Sequence, residues 1–294
     1  MSRPLGAAAG LVADRLLGEP PVEPHPVAAF GSVMQQIEAS LWTDSRARGI
    51  LHAGIGLVIG AAAGRLVRST ALATYVAVAG RQLGQAATEV GAALDAGDLG
   101  AARAALPMLV GRDPTDLDEA EIARAVVESV AENTVDAVVA PALWASVAGA
   151  PGVLAHRAAN TMDAMVGHRS ERYLRYGWAA ARLDDAMAWL PARATAALVV
   201  AVRPGRAGAV VRAVLHDAPA HPSPNAGVAE AAFAAALGVR LGGVSRYGER
   251  VEHRPPLGAG GPVGVGDIAR AVRLSGDVGV ALTAGLVAVG LARR

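Results

Sequence analysis

Charge-free apolar windows alternate with polar segments along this chain of 294 residues. The windows cover residues 50–64, 69–80, 137–155, 194–202 and 278–292. A helix needs about 20 apolar residues to cross the hydrocarbon core of a bilayer, and window 137–155 comes closest to that length. The pattern predicts an all-α fold, namely a polytopic helical membrane protein with about four or five membrane-embedded segments.

The overall composition agrees with this prediction. Hydrophobic residues make up 53% of the chain and charged residues 18%, whereas soluble globular domains carry about 25% charged residues. The alternative is an unusually apolar soluble helical bundle. The chain shows no internal repeat and no low-complexity linker, so we predict a single integral membrane domain over residues 1–294.

The polar segments between the windows predict further elements. Segment 111–116 reads as a helix start with a capping box of Asp116 and Glu119, and the helix should run to about Thr134. Residues 69–94 predict one long helix. Residues 203–262 are rich in proline and glycine and predict mostly loop, with one helix over Ala226–Leu237.

Two residue types are missing, and their absence limits the chemistry. The chain has no cysteine, which excludes disulfides, thiolate metal sites and cysteine nucleophiles. All of its basic residues apart from histidine are arginines, so a Walker A loop and a lysine Schiff base are excluded. Phosphate must therefore be bound by arginine, backbone amides or a metal ion. The net charge of +1, without a basic stripe, gives no case for nucleic-acid binding.

Three carboxylates form an acidic stripe before window 137–155. Glu128, Glu132 and Asp136 are four residues apart, so on a helix they lie on one face. Like charges at this spacing destabilise a helix by about 0.2–0.5 kcal/mol per pair. A bound Mg²⁺ would offset that cost, since it takes one or two carboxylates plus substrate phosphates. The alternative is a solvated acidic helix face.

The densest polar segment covers residues 156–193. Asn160 and Asp163 share a helix face, and Arg182 and Asp185 are spaced for an ion pair, while Asp184 points elsewhere. Polar groups near an apolar interior must be paired or must act on a ligand. The alternative is a lattice of ion pairs that holds two helices together.

Two histidines are candidate bases. His25 lies between Pro24 and Pro26 in a rigid extended segment, where it could act as a general base or donate a hydrogen bond to a substrate. It could equally satisfy a local carbonyl group. His168, beside Arg169, is the second candidate. The segment 222–227 reads as a turn and helix entry that could present Asn225 to a ligand.

Four blocks of residues, in this order, resemble the CobD/CbiB family of adenosylcobinamide-phosphate synthases. The blocks are Asp14 with 25–27 and Gly31; 128–129 with 132–134, Asp136 and 140–141; 159–167 with 181–185 and 191–193; and 223–227 with 241–243. The resemblance extends over most of the chain, roughly residues 12–260. The chain departs from the family pattern at several positions, among them Glu19, where members often have aspartate, and His168, where they often have tyrosine.

This resemblance implies an ATP- and Mg²⁺-dependent ligase of cobalamin biosynthesis. It would join cobyric acid, or its adenosylated form, to aminopropanol or aminopropanol phosphate through an amide bond. The resemblance implies Glu132, Asp136 and Asp163 as metal ligands, with Asp184 as an alternative. It implies catalytic roles for His25, His168, Asp184 and Asp185. Substrate or phosphate contacts would come from Arg157, Asn160, Arg169, Arg182, Arg193 and Asn225.

The expected setting is the cell membrane, crossed several times, with the active site on the cytoplasmic side. Expected partners are the corrinoid, the amine, the lipid bilayer and other membrane-associated enzymes of the pathway. The alternative function is a polytopic transporter or membrane sensor of the same superfamily, in which buried Arg–Asp pairs would form a polar pathway.

The motifs also constrain the topology. Segments 111–134 and 156–187 must lie on one side of the membrane to form one site, but a single window, 137–155, separates them. Pro141, Gly149, Pro151 and Gly152 interrupt that window. We therefore predict that it is broken or re-entrant rather than a clean span.

Overall fold

The computed structural model describes residues 1–111, 114–247 and 250–293, and is almost entirely helical. Its α-helices are α1 (Arg3–Leu17), α2 (Pro26–Leu41), α3 (Arg46–Val67), α4 (Thr70–Ala77), α5 (Gly80–Asp95), α6 (Leu99–Ala105), α7 (Glu119–Thr134), α8 (Ala140–Met162), α9 (Trp178–Val202), α10 (Ala207–His216), α11 (Ala226–Leu237) and α12 (Gly266–Ala292). Strands β1 (Leu241–Tyr247) and β2 (Arg250–Leu257) form an antiparallel hairpin. Single π-helical turns follow α7 and α8, at Val135–Val139 and Asp163–Gly167.

The chain packs into two compact units, each built from segments that are distant in sequence. The first contains Met1–Ala79, Asp136–Pro191 and the chain from Leu282 onward; the second contains Gly80–Val135 and Ala192–Ala281. In the first unit α8 packs against α1, α3 and α4. In the second, α7 and α10 pack against α11, whose residues are all buried.

Four helical stretches in the described ranges are long and apolar enough to cross a membrane. They are Arg46–Val67, Glu119–Gly167, Trp178–Val202 and Gly266–Ala292. The outer face of α3 remains apolar, with Val58 68% and Leu66 81% exposed, as expected of a helix that contacts lipid. The prediction of an all-α polytopic membrane protein is confirmed.

The stretch Glu119–Gly167 contains a sharp fold in the first unit. Gly149 adopts φ 68° and ψ −154°, a conformation essentially restricted to glycine, and it breaks α8 into two arms. Asp136 and Asn160, on either side of the break, are hydrogen-bonded at 3.4 Å although 24 residues separate them. A straight helix of that length would place them about 36 Å apart. The two arms therefore form a hairpin, as the predicted interruption of window 137–155 requires.

The tip of this hairpin is capped by the start of the chain. Arg3 Nη1 donates a hydrogen bond to the carbonyl oxygen of Val147 at 2.7 Å. That carbonyl lies just before the break, where regular helical partners are lost. The side chain of Thr70, the first residue of α4, lies beside Gly149 as well. Contacts from α1 and α4 thus stabilise the turn between the two arms.

A stripe of glycines lets α3 pack closely against the second arm. Gly56, Gly60 and Gly64 repeat every four residues, the small-residue pattern of closely packed membrane helices. A Cβ atom on Gly60 would lie 2.6 Å from the carbonyl oxygen of Leu154, and one on Gly64 would lie 2.4 Å from that of Ala150. The tip of the hairpin is therefore level with Gly64, near the end of α3.

Two of the predicted helix boundaries were wrong. The capping box forms between Asp118 and Glu121, not between Asp116 and Glu119. The observed start places the buried Leu117 and Ile122 at the two positions of a hydrophobic staple. The predicted helix end at Thr134 is confirmed; in the predicted start segment, Arg112 and Asp113 lie outside the described residues.

The long helix predicted over 69–94 was also wrong. Val78 has an extended backbone and separates α4 from α5. The Ala79 amide donates its hydrogen bond to the carbonyl oxygen of Ala137, at 3.1 Å, instead of to its own helix. A tertiary hydrogen bond has thus replaced a helical one.

Residues 203–262 contain more regular structure than predicted. The predicted helix Ala226–Leu237 is confirmed, but α10 and the β-hairpin form where loop was expected. The two prolines in β2 are accommodated by an irregularity in the ladder: Leu241 pairs with Leu257 and Gly243 with Arg254, so Gly242 faces Pro255 and Pro256. Prolines are tolerated in strands at such bulges, where no ladder hydrogen bond is lost.

Candidate functional site

A polar cluster forms in the first unit where the ends of the α8 hairpin meet α9. The amide nitrogen of Asn160 lies 3.4 Å from Asp136 Oδ2 and 3.4 Å from Asp184 Oδ1. The amide oxygen of Asn160 accepts a hydrogen bond from Arg157 Nη1 at 3.2 Å. The carboxylates of Asp136, Asp184 and Glu19 all lie close enough to interact electrostatically with Arg157. Four of the predicted site residues are therefore brought together.

The hairpin explains why these residues meet. Asp136 lies on the π-helical turn Val135–Val139, before the first arm, and Arg157 and Asn160 lie one turn apart on the second. Single π-helical turns are frequent at functional sites because the wider turn redirects side chains. Asp184 comes from α9.

A polar cavity of about 650 Å³ adjoins the cluster through Arg157. Its walls come from the loop before α2, from one face of α2 and from the second arm of α8 and the segment after it. Its polar lining side chains are Glu19, His25, Ser32, Gln35, Glu38, Arg157, Thr161 and Tyr173. The cavity is open and contains both carboxylates and hydrogen-bond donors.

His25 is the N-cap of α2. Its Nδ1 accepts a hydrogen bond from the backbone amide of Val27 at 3.3 Å, so in the neutral ring the proton is on Nε2. Neither His25 Nε2 nor the buried Nε of Arg157 has a hydrogen-bond partner in the part of the chain that the structure describes. Both groups line the cavity and are donors. Two buried donors without a partner favour a ligand with acceptor oxygens.

Glu38 forms a second polar group in the cavity wall that the sequence analysis did not identify. Its side chain is 8% exposed and accepts hydrogen bonds from Arg172 Nη2 at 3.0 Å and from Tyr173 Oη at 2.8 Å. Burial, followed by the hydrogen bond to Glu38, raises the pKa of Tyr173. Arg172 and Tyr173 lie in the polar segment 156–193, so the sequence contained some indication of this group. The sequence of α2 contained no such indication beyond its single acidic residue, Glu38.

Asp163 begins the π-helical turn that ends the second arm, and His168 follows that turn. A Cβ atom on Gly167 would lie 1.8 Å from Asp163 Oδ1, so the carboxylate packs directly against this glycine. The exposed ring of His168 stacks edge-on against Tyr173, with centroids 4.9 Å apart. His168 is thus next to a cavity residue.

Arg182 and Asp185 form the predicted ion pair on α9. Their closest atoms are 3.7 Å apart, and the side chain of Arg182 is 65% exposed. Ion pairs this exposed contribute little to stability. Arg169 is exposed in the segment between the hairpin and α9.

The remaining predicted residues belong to the second unit. Arg193 Nη1 donates a hydrogen bond to Asn225 Oδ1 at 2.9 Å, and Asn225 lies immediately before α11. In the acidic stripe of α7, Glu132 is exposed, while the buried Glu128 accepts a hydrogen bond from the Gly242 amide at 3.0 Å. Glu128 therefore anchors the β-hairpin.

Within the described ranges, no group of three or more histidine or acidic side chains is arranged to hold a metal ion. The carboxylates of Asp136 and Asp184 do converge on the amide of Asn160. Carboxylates suit Mg²⁺, which takes one or two of them and completes its coordination with water and substrate phosphates. The two carboxylates therefore fit a Mg²⁺ ion that keeps water and phosphate ligands better than an ion that is held by protein ligands alone.

The family model described as CobD/Cbib protein matches residues 7–275. Three similar proteins carry the name Cobalamin biosynthesis protein CobD. The one from Mycobacterium tuberculosis (strain H37Rv) is 48% identical, covering 93% of this chain and 91% of the relative. The one from Chromobacterium violaceum is 44% identical, covering 90% and 89%. The one from Rhodobacter capsulatus is 40% identical, covering 90% of each chain. No solved structure matches the chain.

Proposed function

The chain belongs to the CobD/Cbib family of cobalamin biosynthesis proteins, and from this membership we propose that it is an ATP-dependent amide ligase. Its substrates would be cobyric acid, with or without its adenosyl group, and aminopropanol or aminopropanol phosphate. The products would be the matching cobinamide or cobinamide phosphate.

The observation that carries the proposal is the pair of buried donors in the polar cavity, next to two converging carboxylates. Arg157 belongs to both groups, because it lines the cavity and is hydrogen-bonded to Asn160 of the cluster. Donors without partners suit phosphate and carbonyl oxygens, and paired carboxylates suit a metal ion bound to phosphate. A ligase that activates a carboxylate with ATP needs both.

The proposed reaction has two steps. A carboxylate oxygen of the corrinoid attacks the γ-phosphorus of ATP and ADP leaves, which gives an acyl phosphate. The amine nitrogen, after losing its ammonium proton to a base, then attacks the acyl carbon. The C–O bond to the phosphate breaks, phosphate leaves and the amide remains. Most of the catalysis would come from positioning the groups and from stabilising developing negative charge.

The residues of the cluster have distinct proposed roles. Asp136 and Asp184 would hold Mg²⁺, which when bound would neutralise part of the charge on the ATP phosphates. Asn160, whose amide donates to both carboxylates, would orient them. Arg157 and His25 would donate hydrogen bonds to the phosphoryl or carbonyl oxygens. The tautomer set by Val27 favours this donor role for His25, which leaves the exposed His168 as the better candidate base.

We place the active site on the cytoplasmic side of the cell membrane. The segments around the cavity are rich in arginine: Arg169, Arg172 and Arg175 follow the hairpin, and Arg46 and Arg48 begin α3. An excess of arginine in short loops marks the cytoplasmic side. This orientation would give direct access to ATP and to other enzymes of the pathway.

The proposal is tested with protein purified in detergent. The protein is incubated with cobyric acid, ATP, Mg²⁺ and either aminopropanol or its phosphate, and the products are analysed by mass spectrometry. We expect an amide whose mass equals the sum of the two substrates less one water, formed only when ATP is present. No amide from either amine, together with corrinoid uptake by proteoliposomes, would instead support the transporter function.

A further inference from the structure

An apolar cavity of about 470 Å³ lies in the first unit, separate from the polar one. It is enclosed by α2, α3, α4 and the second arm of α8, and nearly all of its lining is aliphatic or aromatic carbon. The polar side chains in its wall are Arg157 and Thr161, both at the end that borders the polar cavity. The membrane-crossing helix α3 supplies one wall through Ile59, Ala63 and Val67.

The cavity opens to the surface that α3 presents to lipid. Val67 is 37%, Val33 44% and Leu72 51% exposed, and each of them also lines the cavity. The neighbouring surface is apolar, since Leu66 is 81% exposed. In a membrane such an opening faces hydrocarbon rather than water, so the cavity is accessible to an acyl chain.

The mouth of the cavity is basic. Arg68 lies between Val67 and α4, and Arg65 lies one turn earlier on α3; both are exposed. Neither forms an ion pair within the described part of the chain. Residues 62–80 contain Arg65 and Arg68 and neither aspartate nor glutamate. The charge at this end of α3 is therefore available to an anion at the membrane surface.

We propose that this cavity binds one acyl chain of an anionic phospholipid whose phosphate contacts Arg65 and Arg68. The opposite arrangement, with the headgroup at Arg157, would place the lipid phosphate in the polar cavity that we assign to the substrates. The lipid would fill the space between α2, α3 and α4. The site is independent of the proposed ligase activity.

The experiment uses delipidated full-length protein and two synthetic lipids, phosphatidylglycerol and phosphatidylcholine, each with a photoreactive acyl chain. After irradiation, the labelled peptides are identified by mass spectrometry. We expect labelling of α2, α3 and α4 at the cavity, with phosphatidylglycerol labelling more than phosphatidylcholine. Replacement of either arginine, as in Arg68→Gln, should lower that preference by about fivefold, the usual effect of one basic residue at an anionic surface.

Variants that fill the cavity distinguish lipid bound inside the cavity from lipid that merely contacts the outer surface of the helices. Ala63→Phe and Val33→Trp narrow it from two different walls, so at least one is expected to fold normally. Either should abolish the cavity labelling, whereas Val58→Phe, on the exposed face of α3, should not. Labelling that both filling variants leave unchanged would overturn the proposal. Equal labelling by the two lipids would overturn the assignment of an anionic headgroup.

Discussion

The side-chain amide of Asn160 lies 3.4 Å from Asp136 Oδ2, although 24 residues of mostly apolar chain separate the two. The contact requires the chain between them to fold back at Gly149. It therefore places both ends of the apolar window on one side of the membrane. The polar cluster exists because this segment is a hairpin and not a span.

The hairpin gives a test of sidedness. Because the chain has no cysteine, single cysteines can be introduced without a background. We expect Ser32→Cys and His168→Cys to react with a membrane-impermeant maleimide from the same side. Arg68→Cys should react only from the other side, since α3 has 22 residues and is about 33 Å long. Labelling of Ser32→Cys and His168→Cys from opposite sides would contradict the fold described for the first unit.

The close approach of α3 to the hairpin should be sensitive to added volume. In Gly60→Val the new side chain would meet the Leu154 carbonyl, and overpacking of this kind costs about 1–3 kcal/mol. Gly54→Val is a matched control on the same helix, because a Cβ atom there meets nothing within 4 Å. We expect the midpoint of thermal unfolding in detergent to fall for Gly60→Val only. Equal midpoints would show that the glycine stripe is not a packing surface.

Much of this fold could be predicted from the sequence because charge-free apolar windows alternate with polar segments. The interruption at Gly149 was also predictable, since glycine and proline cluster there. The division between α4 and α5 was not. It depends on a tertiary hydrogen bond between Ala79 and Ala137, which has no local signal.

The sequence identified most of the residues of the candidate site, but it could not show which of them lie together. Asp136, Arg157, Asn160 and Asp184 all lay in polar segments that stood out against an apolar background. Glu38 was missed because one acidic residue on an amphipathic helix most often faces water. Its partners, Arg172 and Tyr173, are more than 130 residues away in sequence.

Arg182 is expected to do more than pair with Asp185. If its guanidinium grips a phosphate with two hydrogen bonds, Arg182→Lys should lower the turnover of the proposed reaction by about tenfold or more, because lysine cannot reproduce the fork. Arg175→Lys is the control, since Arg175 forms a similarly exposed pair with Asp44 at 3.5 Å. A loss within about threefold for Arg182→Lys is less than 1 kcal/mol and would indicate a structural ion pair only.

Tyr176 predicts a pH dependence of stability. Burial, with a further contribution from Glu38, raises the pKa of its phenol to about 12, from about 10 in an unfolded chain. The folded state therefore keeps a proton that the unfolded state loses, and stability should fall as the pH rises through this interval. We therefore expect the unfolding midpoint of Tyr176→Phe to decrease less than that of wild type between about pH 10 and about pH 12.

The same variant should cost little at neutral pH. The hydroxyl of Tyr176 is buried and has no hydrogen-bond partner in the described ranges, so its removal leaves no new group unsatisfied. A loss of more than about 1 kcal/mol near neutral pH would mean that the hydroxyl makes a stabilising hydrogen bond after all.

The central claim is that Asp136, Asn160 and Asp184 form the reactive centre of an amide ligase. The most direct measurement is the rate of ATP-dependent amide formation from cobyric acid and the amine, at saturating Mg²⁺. It is compared for wild type, Asp136→Asn, Asp184→Asn and the exposed control Asp44→Asn, with Glu132→Gln included for the acidic stripe. We expect Asp136→Asn and Asp184→Asn to form no detectable amide while remaining folded, and Asp44→Asn to match wild type. Loss of activity in Glu132→Gln would assign the acidic stripe to the site as well. A near-wild-type rate for Asp136→Asn and Asp184→Asn would contradict the claim.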